Sequence, residues 1–198
     1  MTDIQQAIQT RRSNYSINNK TQMSDEEIIK RIQIAVKNCP SAFNSQSSRV
    51  VVLLNEEHKK FWQLTFAELK KYVSKDKISG TENKINSFAA GKGTLLFFEE
   101  EETIERLEKQ FPLYAANFKS WSEQGNAMLQ YAIWCLLSDE GMGASLQHYS
   151  PLIDDFVHKT WHLPSHWKMI AQMPFGNITQ AAGIKEFMPL EERIKIFA

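Results

Sequence analysis

At 198 residues the chain has room for one sizeable domain with its own apolar core, so it needs neither disulfides nor a structural metal to hold it together. Lys plus Arg and Asp plus Glu balance at 23 each, which excludes a broad electrostatic grip on nucleic acid or on an anionic membrane. The two cysteines, Cys39 and Cys135, lie far apart, and Cys135 falls in an apolar run, so no disulfide framework is expected and a reducing cytoplasm is the expected setting.

The opening residues, MTDIQQAIQTRRS, contain neither the apolar stretch of a secretory signal nor a membrane-spanning run. Ile4, Ala7, Ile8 and Arg11 recur at helical spacing and predict a short amphipathic helix over the first dozen residues. It delivers Arg11, Arg12 and Ser13 at its C-terminal end. Such a triplet can grip a phosphate, because each guanidinium makes paired charge-assisted hydrogen bonds. Basic residues also favour the last turn of any helix, where they offset its dipole. Ser24, Asp25, Glu26 and Glu27 then read as a capping box ahead of Ile28, Ile32 and Ala35, which predicts a second helix ending before Pro40. In the loop from Pro40 to Gln46, Ser41 precedes two carboxamides, Asn44 and Gln46. Such amides can read a ring edge that alternates donors and acceptors, although Asn and Ser also simply favour turns. Arg49 to Leu54 predicts a strand buried on both faces.

Trp62, Phe66, Leu69 and Val73 form the inward stripe of a third helix, with the aromatics read as core. Residues 74–93 are polar and carry Gly80, Gly91 and Gly93, which predicts a long irregular connection of the kind that forms flaps. Thr94 to Phe98 is a second buried strand. The acids Glu99 to Glu102 read as a solvated turn opening the helix through Ile104, Leu107 and Phe111. Ala127 to Leu137 is apolar on nearly every side and predicts a helix in the middle of the core, too short for a bilayer that needs about 20 such residues. Gly141 is placed to close it in the left-handed conformation. Gly143, Ala144 and Ser145 are small enough for a ligand or another backbone to come close, and Leu146, Gln147, His148 and Tyr149 follow as a polar and aromatic cluster. A short helix is predicted over residues 152–161. His158, His162 and His166 are spaced by four, but Pro164 breaks the helix between the last two, so no metal site is expected. Trp167 to Pro174 predicts a third strand turning at Phe175 and Gly176. Lys185 lies in the polar link beyond, and the final PLEERIKIF predicts a turn of helix or an arm laid on a partner.

Four of these motifs, in this order, resemble the flavin-dependent nitroreductase family over nearly the whole chain. They are Arg11-Arg12-Ser13, the Pro40-Ser41-x-x-Asn44-x-Gln46 loop, the buried helix ending in Gly141-Met142-Gly143, and Lys185 with the Pro189 to Glu192 segment. GASLQHY from Gly143 and the ending KEFMPLEERIKIF look most like the branch of bacterial nitroreductases related to fungal proteins linked to fatty-acid regulation. The resemblance implies an α+β fold, a three-layer α/β/α sandwich around a mostly antiparallel sheet, in a single domain over residues 1–198. It also implies an intertwined homodimer with FMN at the interface. Arg11, Arg12, Ser13 and Lys185 of one subunit would hold the phosphate and ribityl chain. Ser41, Asn44 and Gln46 of the other would border the ring, with Leu146, Gln147, His148 and Tyr149 near its reactive edge. Tyr15 stands where many members carry Arg or Lys beside the flavin pyrimidine, and His148 roughly where many carry an acid.

The implied activity is ping-pong: NADH or NADPH passes hydride to flavin N5 and leaves, and a nitroaromatic, quinone or similar acceptor then takes the electrons. No side chain need act as nucleophile or obligatory acid, because the cofactor carries the chemistry; His148 and Tyr149 are candidates either to donate a proton or only to orient a ring. The chain has no GxGxxG motif, so the nicotinamide is expected to visit and not to reside. The alternative is a flavin-binding regulatory or interaction protein whose turnover is incidental.

Overall fold

The computed structural model describes residues 4–197; residues 1–3, which the predicted first helix includes, lie outside them. Five strands form one sheet: β1 (Ile17–Asn18), β2 (Ser48–Leu54), β3 (Gly93–Glu100), β4 (Met142–Ala144) and β5 (Trp167–Ile178). Their order is β1-β5-β3-β2, with β4 also on β5, and every pairing between them is antiparallel. The described residues also form eight α-helices: α1 (Ile4–Thr10), α2 (Asp25–Asn38), α3 (Asn55–Leu69), α4 (Ile78–Ala89), α5 (Glu101–Gln110), α6 (Phe118–Asp139), α7 (Asp154–Thr160) and α8 (Leu190–Arg193).

β3 is the central strand, and all of its residues are buried. Side chains alternate across a strand, so Leu95 and Phe97 enter one core while Leu96 and Phe98 enter the other. The first core packs Ile28 and Ile32 of α2 and Leu129, Ile133 and Leu137 of α6 against Met173 and Phe175. The second packs Phe61 and Trp62 of α3, Phe88 of α4 and Val157 of α7 against Leu53 and Met169. Helices therefore lie on both faces, and the α+β three-layer sandwich expected from the sequence is the fold observed. The capping box is also present: Ser24 Oγ accepts from Glu27 N–H at 3.2 Å, and Ser24 N–H donates to Glu27 Oε2 at 2.8 Å. Gly141 ends α6 at φ 74°.

Several expectations are corrected. Residues 78–89 are helix and not an irregular flap, because Ile85 and Phe88, three apart, bury one stripe that outweighs Gly80. Glu99 and Glu100 are not in a solvated turn; they are buried at the end of β3, and only Glu101 and Glu102 open α5. β2 is not buried on both faces, because it is the edge of the sheet and only Leu53 is fully enclosed. β5 does not turn at Phe175 and Gly176 but runs on to Ile178, since Met142 to Ala144 and Ile17 to Asn18 pair with that extension. α6 is longer than the predicted Ala127 to Leu137 run, and its Met128 and Tyr131 face solvent.

Gly176 shows how closely β1 and the β5 extension are packed. A Cβ there would sit 2.3 Å from Asn18 O and 2.9 Å from Lys92 N, both backbone atoms that cannot rotate away. Gly176→Ala is therefore expected to lower stability by about 1–3 kcal/mol, the range for overpacking. A urea midpoint that does not move would contradict this reading.

Candidate functional site

The N-terminal motif comes to rest between the central helix and the C-terminal tail. α1 ends at Thr10, and Arg12 Nη2 then donates to the carbonyl of Gly183 at 2.6 Å, 171 residues away in the chain. That contact fixes Arg12 two residues from Lys185, whose ammonium is exposed and 5.0 Å from the Phe187 ring. Arg11 takes another direction. Its guanidinium lies 4.4 Å above the Trp134 ring and 5.8 Å from that of Tyr131, a cation–π arrangement. Its Nε is enclosed without a hydrogen-bond partner, as is Trp134 Nε1. Ser13 forms an isolated bridge with Ala144, and Asn14 N–H donates to Ala144 O at 2.9 Å. The close approach that Gly143 permits is to Asn14, because a Cβ on Gly143 would lie 2.7 Å from the Asn14 Cβ. Tyr15, next in line, is exposed.

The second motif lies elsewhere. In the 40–46 loop Phe43, Asn44 and Gln46 all adopt left-handed backbone conformations, with φ of 55°, 51° and 49°. Side chains with a Cβ enter this region at a cost, and three in four residues persist only where the surroundings over-determine them. Ser41 supplies part of that constraint: its Oγ accepts from Gln46 N–H at 2.9 Å and its carbonyl from Asn44 N–H at 3.0 Å. The side chains of Asn44 and Gln46 are exposed, while the Phe43 ring packs 4.8 Å from Phe111 and 5.3 Å from Phe118. A cleft of about 560 Å³ opens beside Ser41 and Gln46, with Lys37 and Arg49 on its walls.

The third cluster does not stay together. Gln147 is buried and exchanges backbone hydrogen bonds with Gln172, at 2.7 and 2.9 Å. Leu146 packs on the α2–α6 core, and His148 is exposed. Tyr149 turns to the opposite core, its ring edge-on to Trp62 at 6.1 Å, and burial pushes its hydroxyl up to about 12. That hydroxyl keeps its proton across the physiological range.

The first two motifs do not meet within one chain. Ser41 abuts Gly125 and Arg11 covers Trp134, positions nine residues apart on α6. At ~1.5 Å and ~100° per residue they are separated by about 13 Å along the axis and lie on opposite helix faces. Sequence reasoning missed the neighbours that hold each half: Asn14, Trp134, Gly183, and the serines at positions 47 and 48. Trp134 lies in the apolar run 127–137 with nothing to single it out, and nothing local marks Gly183 as the acceptor for Arg12.

The sequence model described as nitroreductase family matches residues 8–177. The chain belongs to the nitroreductase family. Among relatives, HBN1 of Saccharomyces cerevisiae is 31% identical over 166 residues, covering 84% of this chain and 81% of that protein. Among solved nitroreductases, CinD from Lactococcus lactis, in complex with nicotinic acid, is 38% identical and covers 99% of this chain and 100% of its own, with a TM-score of 0.92. CinD has also been solved with chloramphenicol and with 4-nitrophenol. A more distant protein from Desulfovibrio desulfuricans, solved with FMN, shares the nitroreductase fold at 18% identity, covering 100% of this chain and 99% of its own, with a TM-score of 0.71.

The basic residues of the N-terminal motif and Lys185 have the chemistry to hold an anionic group. Arg11 keeps an unmet buried donor, Arg12 is anchored by a neutral carbonyl with no carboxylate to neutralise it, and Lys185 is exposed within the same segment. Two guanidiniums and an ammonium with no acidic partner in a hydrogen bond or ion pair, among the described residues, leave charge to be met from outside.

Proposed function

We propose that this nitroreductase-family chain is an FMN-dependent NADH or NADPH oxidoreductase, working as a homodimer and reducing nitroaromatics, quinones or related acceptors in a ping-pong cycle. The observation that carries the reading is the Arg12–Gly183 contact, which brings Arg12 of the N-terminal motif to the C-terminal segment that carries Lys185. Support comes from the FMN bound to the Desulfovibrio protein of the same fold, and from CinD complexes with 4-nitrophenol and with chloramphenicol, itself a nitroaromatic.

In this reading Arg11, Arg12, Ser13 and Lys185 hold the phosphate and ribityl chain. Ser41, Asn44 and Gln46 of a second copy border the ring, with Tyr15, Leu146, Gln147, His148 and Tyr149 around its edge. Bound FMN supplies reversible two-electron chemistry, accepting hydride from the nicotinamide and returning electrons to the acceptor. The protein's part is to neutralise phosphate charge, hold amides at the ring edge and keep bulk water away. His148 is exposed, whereas the Tyr149 side chain is turned into the core, so His148 is the residue of its cluster placed to deliver a proton.

The homodimer is supported by apolar surface that one chain leaves open. Ile184, Phe187, Ile196 and Phe197 of the tail are exposed, Phe197 to 96%, and Met128 and Tyr131 of α6 line an apolar groove of about 570 Å³ between α1, α2 and α6. Patches of this kind mark interfaces. Stability of an obligate dimer depends on protomer concentration, so the melting temperature is expected to fall on hundredfold dilution. A constant value would argue for a monomer. No helix of the described residues is long and apolar enough to cross a membrane, and Cys39 and Cys135 are free thiols.

The decisive experiment titrates the purified protein with FMN and then follows NADH and NADPH oxidation with a nitroaromatic and a quinone. Tight FMN uptake with acceptor-dependent oxidation is expected. A preparation that takes up no FMN overturns the reading. Uptake without acceptor-dependent turnover favours a flavin-binding regulatory protein.

A further inference from the structure

At the end of β3, Glu99 is only 2% exposed, yet no cation pairs with it among the described residues. Its carboxylate is held by neutral donors alone. Ser47 Oγ donates to Oε2 at 2.6 Å, and Ser48 Oγ and Asn126 Nδ2 donate to Oε1 at 2.5 and 2.8 Å. Asn126 also donates to Phe98 O at 3.0 Å and accepts from Gln130 Nε2 at 2.7 Å, so the network reaches into α6. Burying a carboxylate without a cation is expensive, and removing its donors costs more than replacing the whole set. Such a group persists where it specifies a conformation.

The conformation within reach is that of the 40–46 loop. Ser47 and Ser48 follow Gln46 directly and form its outgoing foot, and Glu100 N–H donates to Ser47 O at 3.0 Å on the same foot. Asn126 is next in sequence to Gly125, which lies beside the incoming foot: a Cβ added at Gly125 would be 3.8 Å from Ser41 Cβ. One carboxylate thus clamps the outgoing foot directly and, through Asn126, ties it to the stretch of α6 that runs beside the incoming foot. Between those feet stand the three left-handed residues, Phe43, Asn44 and Gln46.

We propose that Glu99 is a positioning residue for the ring-facing loop: by clamping its outgoing foot and tying that foot to α6 it fixes where the Asn44 and Gln46 amides stand, and so how the flavin ring is held and tuned. This rests on the FMN reading above. Glu99 itself touches neither ring nor substrate; it acts through the serines and Asn126.

The test uses the full-length protein with Glu99→Gln, and with Ser48→Ala as a milder change should the first fail to fold. FMN affinity is measured by fluorescence titration, the bound flavin by its visible absorption and reduction potential, and the apoprotein by its melting temperature. At least a tenfold weaker FMN affinity together with an altered flavin band shape or potential is expected, larger for Glu99→Gln than for Ser48→Ala. A variant that melts lower but binds FMN with wild-type affinity, spectrum and potential reduces Glu99 to a structural role and overturns the inference while leaving the FMN reading intact. Wild-type protein that takes up no FMN overturns the reading beneath it, and the inference with it.

Discussion

Replacing Arg11 and Arg12 together with alanine is expected to strip the protein of its FMN. A hydrogen bond to a charged group is worth about 1.5–3 kcal/mol, so losing one from each guanidinium costs roughly 3–6 kcal/mol. At 1.4 kcal/mol per decade that raises Kd by about 10²- to 10⁴-fold. Because both would hold the same phosphate, their effects should couple, so the sum is an upper bound, with Arg12→Ala alone costing about 1.5–3 kcal/mol. Arg11→Ala also uncovers the Trp134 face, and the melting temperature of the apoprotein serves as the control for that packing loss. Unchanged affinity in the double variant would remove both residues from the phosphate site.

The second large effect concerns acid. His58 of α3 is enclosed in a relay: Trp62 Nε1 donates to Thr94 Oγ1 at 2.8 Å, His58 Nδ1 lies 2.8 Å from the same hydroxyl, and its Nε2 lies 3.2 Å from Ala89 O. With Nε2–H donating to the carbonyl and Nδ1 accepting from Thr94, every group is satisfied by the neutral imidazole. Burial is the main cause that pulls its pKa down from 6.5 to about 4, so the unfolded chain binds the proton more readily than the folded one. The stabilisation is therefore complete above pH 6.5 and is lost as pH falls towards 4, amounting to about 3 kcal/mol at 1.36 kcal/mol per unit. Urea denaturation at intervals between pH 7 and pH 4 should show this slope. His58→Gln should be less stable at pH 7 yet lack most of the slope. Asp25 and Glu27, whose carboxyls are lowered by hydrogen bonds to Lys92 and to Ser24, lose their contribution only at lower pH. A wild-type profile flat from pH 6.5 to 4.5 would contradict the assignment.

What the sequence disclosed follows from how local each signal is. The Ser24–Glu27 capping box, the TLLFF core of β3 and the closing Gly141 are short-range patterns, and each appears in the structure as read. α4 was hidden because its apolar stripe is short and carries Gly80, so polarity outweighed periodicity. The extension of β5 past Gly176 was hidden because it depends on two partners, β1 and β4, that are distant in sequence. Glu99 and His58 look like surface residues by type, and only the packing of β3 against helices on both faces makes them buried. The site was half legible: Arg11 to Ser13 and Ser41 to Gln46 stood out as motifs, whereas the tie between Arg12 and Gly183 spans nearly the whole chain.

Consecutive residues of β3 belong to opposite cores, Leu95 and Phe97 to one and Leu96 and Phe98 to the other. Neither half of the molecule can loosen without stripping that shared strand of every second packing partner. Heating should therefore produce one sharp, all-or-none transition, and the β3 amides should exchange with solvent only when the whole protomer opens.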